Sequence, residues 1–243
     1  MTQAIIFALA NGLTLAAGAF LGNIWKLKQK TIAAFMAFGS GVLICALTFG
    51  LMEEAFGHGG FDAVIIGFLI GGLLYIGSDY LLHIFGARKH RRQQHSAARR
   101  DSSGIMIMLG SIFDGIPESI ALGISLFSNQ QVSFMMLAAI VISNVPESVA
   151  SISGLKKEGY TKNKIFLIWL SAGAAVALAT ILSFLFLHNL DPNLIGILES
   201  LAAGAILAML ADSMMPEAYQ EGGYAIGFLT ILGFLVTFIM SRL

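Results

Sequence analysis

The chain has 243 residues, 57% of them hydrophobic and 12% charged, with 27 glycines and 14 basic residues balancing 14 acidic ones. That composition excludes a soluble globular domain and defines an integral membrane protein, in which the placement of charges matters more than their sum. The single cysteine, Cys45, sits in an apolar run, which excludes an internal disulfide framework and any multi-cysteine zinc site.

A helix needs about 20 apolar residues to cross about 30 Å of hydrocarbon. Eight such segments are predicted, near 3–25, 31–53, 62–85, 104–127, 132–155, 164–188, 194–216 and 224–242. The first has no basic segment ahead of its apolar run, so it is read as a helix and not as a cleaved leader. The second ends at Glu53 and Glu54, with His58 a turn later. These three are candidates for a cation-collecting entrance, against the plainer reading of a solvated helix end. GHGG at 57–60 is the expected turn into helix three. Near the far end of helix three, Asp79 and His83 stand four apart on one face, a candidate exit pair or proton relay, or a structural hydrogen bond.

The polar run RKHRRQQHSAARR at 88–100 is a topology anchor, with His90 and His95 also able to capture a departing metal. Helix four then carries DGIPES at 114–119, and helix five a near-copy, SNVPES, at 143–148. In helix six, LSAGAAVALA from Leu170 offers small residues for close helix contacts. Asp191 and Glu199 are expected in the outer loop and the first turn of helix seven, and Glu217 and Glu221 at its inner end, the counterparts of the helix-two carboxylates.

Thirteen of the fourteen basic residues fall in the loops after helices one, three and five, which share one side of an eight-helix chain. The positive-inside rule makes that side cytoplasmic and leaves both termini outside. Sliding the sequence by 163 residues aligns GVLICALTFGLMEEAFGHGGF from Gly41 with GAILAMLADSMMPEAYQEGGY from Gly204. Five helices intervene, so the two copies are inverted in the bilayer. The expected architecture is all-α, in a 3+2+3 inverted-repeat arrangement. Repeats cover about 1–85 and 164–243 around a central pair at 104–155, and a basic cytoplasmic loop spans 86–103. Inverted repeats around a central pair of interrupted helices mark alternating-access transporters with a midplane site.

The central pair supplies the chemistry. A helical proline frees the carbonyl four residues before it, here that of Phe113 for Pro117 and of Ile142 for Pro146. Asp114 and Glu118 share one face of helix four, as Ser143 and Glu147 do on helix five, with Asn144 beside them. Three ionised carboxylates at membrane depth cost roughly 8–10 kcal/mol on insertion scales. No lysine or arginine lies inside either helix of the central pair to offset that, so a bound cation or proton must.

The paired Pro-Glu helices, the basic loop before them, the external termini and the Pro216-Glu217-Ala218 ending of helix seven together resemble the ZIP family of divalent metal transporters, across essentially the whole chain. The resemblance implies a metal site between helices four and five. Helices two and seven contribute to the pathway, and zinc, iron or manganese moves toward the cytoplasm. Carried over, the family's His-Asn-x-Pro-Glu-Gly motif falls on Asp114, Gly115, Ile116, Pro117, Glu118 and Ser119, and the helix-five motif on Ser143, Asn144, Pro146 and Glu147. The acidic or imidazole position of helix seven is met by Asp212. Asp114 thus stands where the family has imidazole, Gly115 removes an amide, and Ser143 replaces a nitrogen donor.

The resulting candidate ligands, Asp114, Glu118, Ser143, Asn144, Glu147 and Asp212, are all oxygen donors, which suits hard ions such as Mn²⁺ while still accepting Zn²⁺, and favours one ion over two. The family also implies helices one, four, five and six as one bundle and two, three, seven and eight as the other. No cofactor is expected, the metal being cargo. The expected partners are the lipid bilayer and, as a candidate homodimer, a second copy, with no nucleic acid. A plasma-membrane location follows from the compactness of the chain. A cation/proton antiporter exporting a divalent cation is the rival reading. An intramembrane hydrolase is excluded because the paired Tyr-Asp and Gly-x-Gly-Asp motifs and His-Glu-x-x-His are all missing.

Overall fold

The computed structural model describes residues 1–25, 27–84 and 104–242, and all regular structure among them is helical. The elements are α1 (Thr2–Ile24), α2 (Gln29–Ala46), a π-helical turn (Leu47–Leu51), α3 (Met52–Ile84), α4 (Gly104–Ser128), α5 (Gln130–Lys157), α6 (Lys162–Leu187), α7 (Pro192–Met209), a second π-helical turn (Leu210–Met214), α8 (Met215–Gly222) and α9 (Ala225–Met240). Among the described residues, six helical runs are long and apolar enough to cross a membrane, and Ala225–Met240 is a shorter apolar helix. The protein is therefore a multi-pass membrane protein. The basic loop and its histidines, His90 and His95, lie outside the described residues.

One of the six runs, Gln29–Leu81, spans 53 residues, far more than one crossing requires. It is broken at a single residue. Gly60 adopts φ 64° and ψ −163°, a region open essentially to glycine alone. The expected four-residue turn at 57–60 is thus a helix that continues to Gly59 and folds back at Gly60. Gly223, 163 positions on, closes α8 with φ 64° and ψ −146°. The two π turns, Leu47–Leu51 and Leu210–Met214, are offset by the same 163 residues. Neither was expected from the sequence, although both fall inside the aligned segments.

Local signals fix the other ends. Asn129, the one residue between α4 and α5, accepts from the Gln131 and Val132 backbone N–H groups at 2.9 and 3.5 Å and so caps α5. At the far end of α5, Gly159 at φ 87° permits the paired bonds Tyr160 N–H to Leu155 O and Gly159 N–H to Lys156 O, a Schellman ending. Asp191 caps α7, accepting from the Asn193 N–H at 2.9 Å ahead of Pro192 in the first turn.

Packing uses glycine in two groups. α1 and α6 meet where Gly12 and Gly173 each face the other's carbonyl oxygen, and Gly123 of α4 lies against the Thr180 carbonyl of α6. Gly18 of α1 lies against the Val145 carbonyl of α5. In the second group Gly41 of α2 faces Thr230 O and Gly233 of α9 faces Phe38 O, while Gly71 of α3 faces Leu201 O and Gly204 of α7 faces Phe68 O. Such backbone approach is the usual source of helix association in lipid, where burying apolar side chains gains little. Between the groups the core is made of large side chains, among them Leu43, Leu47 and Leu51 against Leu122, Met136 and Ile140. Apolar side chains such as Leu69, Leu73, Phe186 and Phe228 point outward, as a lipid-facing surface requires.

Candidate metal centre

Pro117 and Pro146 both lie inside unbroken helices, and each sets a glutamate on the inner face of its helix. Asp114, Glu118, Ser143, Asn144 and Glu147 are all buried, none more than 8% exposed. Glu118 is the centre of the group. The side chains of Asn144 and Ser143 stand at hydrogen-bonding positions to it, and the carboxylates of Glu147 and Asp114 are near enough to act on its charge. The Ser143 hydroxyl also reaches the Ile140 carbonyl at 3.1 Å. Glu118 Oε2 is buried with no hydrogen-bond donor against it, the kind of orphaned acceptor that a cation can satisfy. The structure thus brings together five of the six sequence-derived ligands. Asp212 lies half-buried in the second π turn and is not among the groups acting on Glu118. Among the described residues no three His, Cys, Asp or Glu side chains are arranged to hold a metal by themselves, so amide and hydroxyl oxygens have to share the task.

Two neighbours were not anticipated. The Tyr75 hydroxyl of α3, itself buried, donates to Asp114 Oδ1 at 2.6 Å. Asn11 of α1 donates through Nδ2 to Ser119 Oγ and to Thr180 Oγ1, both at 3.1 Å, tying the residue after Glu118 to α1 and α6. A lone tyrosine or asparagine in an apolar helix carries no spacing signal. Only the neighbour brought up by the fold shows what it does.

At the end of the molecule holding the Gly60 bend, His58 Nδ1 lies 2.9 Å from Glu199 Oε2, and Ser128 donates to Glu199 Oε1 at 3.1 Å. Glu199 is completely buried and stands two turns into α7, which corrects its expected place in the first turn. Its spacing from the Asp191 cap contained that information. Glu54 is half-buried beside it, with both carboxylate oxygens shielded and the Asn129 side chain close by, whereas Glu53 is exposed. At the candidate exit, Glu217 and Glu221 line a cleft with Gln29, Met36 and Ala150, the last one turn beyond Glu147 on α5. Asp79 is half-buried, and the side chain of His83 lies outside those described.

Glycine-packed apolar helices around a buried cluster of oxygen donors define a polytopic membrane protein. The family model for ZIP zinc transporters matches residues 86–241, and the chain belongs to that family, whose members are membrane transporters and not enzymes. The zinc transporters ZupT of Salmonella newport, Salmonella typhimurium and Salmonella typhi are each 27% identical to it over 227 residues, covering 90% of this chain and 88% of theirs.

Proposed function

We propose that the protein carries Zn²⁺ or a similar ion, Mn²⁺ or Fe²⁺, across the plasma membrane into the cytoplasm by alternating access through the carboxylate site of α4 and α5. The observation that carries this reading is the gathering of Asp114, Ser143, Asn144 and Glu147 about the Glu118 carboxylate, whose Oε2 is left orphaned. No lysine or arginine occurs anywhere from residue 101 to residue 155 to neutralise the cluster. A divalent ion supplies the missing charge, and a single ion suits five oxygen donors.

The eight-crossing, 3+2+3 inverted arrangement is supported by the paired bends at Gly60 and Gly223, which divide the Gln29–Leu81 run into two crossings and α7–α8 from α9. The paired π turns add to that support. Glycine contacts join α1 to α5 and α6, and α4 to α6, and they pair α2 with α9 and α3 with α7; the family resemblance groups these as two bundles, α1, α4, α5 and α6 against α2, α3, α7 and α9. The basic loops point to extracytoplasmic termini. Glu54, His58 and Glu199 then lie toward the outside, and Glu217 and Glu221 toward the cytoplasm.

The test is uptake of Zn²⁺, Mn²⁺, Fe²⁺ and Ca²⁺ by proteoliposomes containing the purified protein. Uptake of one or more divalent ions is expected, falling to the level of empty vesicles in Glu118→Ala and Glu147→Ala. A wild type that moves none of them overturns the reading. Flux whose direction follows an imposed proton gradient replaces it with the cation/proton antiporter.

A further inference from the structure

The hydrogen bond from Tyr75 to Asp114 joins two helices whose backbones hardly meet. α3 packs chiefly on α7, and α4 chiefly on α6, with smaller and similar contacts to α5 and α7. Tyr75 reaches across from the α3–α7 side through a core that includes Leu122 and Ile206, and its hydroxyl ends on Asp114 Oδ1 at 2.6 Å. Both side chains are buried, the tyrosine 6% and the aspartate 7% exposed. An O–H···O contact of this length is at the short end of the hydrogen-bond range, with the phenol donating to the carboxylate oxygen. Asp114 also faces the charge of Glu118.

We propose that Tyr75 is a positioning residue of the metal site: its phenol holds Asp114 toward Glu118 from the opposite bundle, and so ties the bundles together through a metal ligand. The inference rests on the reading of Asp114 as a ligand. Partners that orient ligating carboxylates are worth about 10–100-fold in metal affinity or activity. The tie also opposes relative movement of the bundles, so losing it does not slow the movement itself.

The experiment is a four-protein cycle in detergent and in proteoliposomes: wild type, Tyr75→Phe, Asp114→Ala and the double variant, with Zn²⁺ and Mn²⁺ as probes. Tyr75→Phe keeps the ring, and its gel-filtration profile establishes that it folds. Direct metal titration should show Tyr75→Phe binding about 10-fold more weakly than wild type, with no further loss when it is added to Asp114→Ala. Uptake should show KM raised by a similar factor and the maximum rate undiminished. A fall in maximum rate at unchanged KM overturns the proposal, and so does an equal Tyr75→Phe effect in the Asp114→Ala background. An Asp114→Ala protein with wild-type affinity overturns it as well. Metal binding in the wild type without uptake removes the transport reading alone, whereas a wild type that binds neither ion removes this proposal together with the site it rests on.

Discussion

At the scale of single residues, several buried polar side chains serve to tie helices together. Asn11 shows the logic, since one amide nitrogen serves two hydroxyls on two other helices. Asn11→Ala leaves Ser119 and Thr180 with one partner fewer each, and is expected to lower stability by about 1–3 kcal/mol. For a chain of this length that corresponds to a fall of several degrees in the thermal midpoint measured in detergent. His58→Ala removes a hydrogen-bond partner from the fully buried Glu199, leaving Ser128 in place. Because the imidazole is about a third exposed, a smaller loss, about 1–2 kcal/mol, is expected. A midpoint unchanged in either variant would show that the bond contributes nothing.

The residue scale is also where sequence reading divides most sharply. Asp114, Glu118, Asn144 and Glu147 were legible because carboxylates beside proline inside lipid-length helices have no inexpensive alternative use. Tyr75 and Asn11 were not, because helices apolar on every face give no period from which to tell an inner position from an outer one. Glu199 was misplaced for a related reason: an acidic residue near a helix start suits the dipole, and nothing local marks it as buried.

Elements carry the repeat. The Gly60 and Gly223 bends use backbone angles that a Cβ makes unfavourable, so Gly60→Ala and Gly223→Ala should each cost about 1–3 kcal/mol even though the added methyl would meet open space. Gly41 and Gly204 are the opposite case. Their dihedrals are ordinary, but a Cβ at either would press on the carbonyl of the facing helix. Valine at Gly41 or Gly204 should therefore reduce the yield of folded, monodisperse protein, while Gly57→Ala, with nothing near it, should not. Equal yields for all three would refute the close-packing account. Helix identity was readable throughout from length and apolarity. The Gly60 break was read one turn too broadly because glycines cluster there and only the backbone shows which one bends, and the π turns have no composition of their own.

For the whole molecule, the distinction is between contacts inside each group of helices and contacts between them. Gly50, in the first π turn, lies against Val132 of α5 across the boundary, and Gly22 of α1 lies against Ile152 of α5 within one group. In a Cys45→Ala background, an oxidised Gly50→Cys/Val132→Cys pair should halt metal uptake until a reductant is added. A Gly22→Cys/Ile152→Cys pair should leave uptake running. If both disulfides stop transport, or neither does, the groups do not move as units. The membrane class, the long apolar helices and the acidic pair of helices were all visible in the order of residues. The proposed division of the helices came to the sequence reading only through family resemblance, because partner choice in lipid depends on which glycine faces which carbonyl.

That arrangement has an evolutionary consequence. Where backbones touch through Gly12, Gly41, Gly173, Gly204 and Gly233, no other residue fits. Much of the boundary between the groups is filled by leucine, isoleucine and methionine, which exchange for one another at little cost. Descent should therefore hold the glycines nearly constant while the boundary drifts, so that two transporters of this kind can differ at most of their apolar positions and still fold alike.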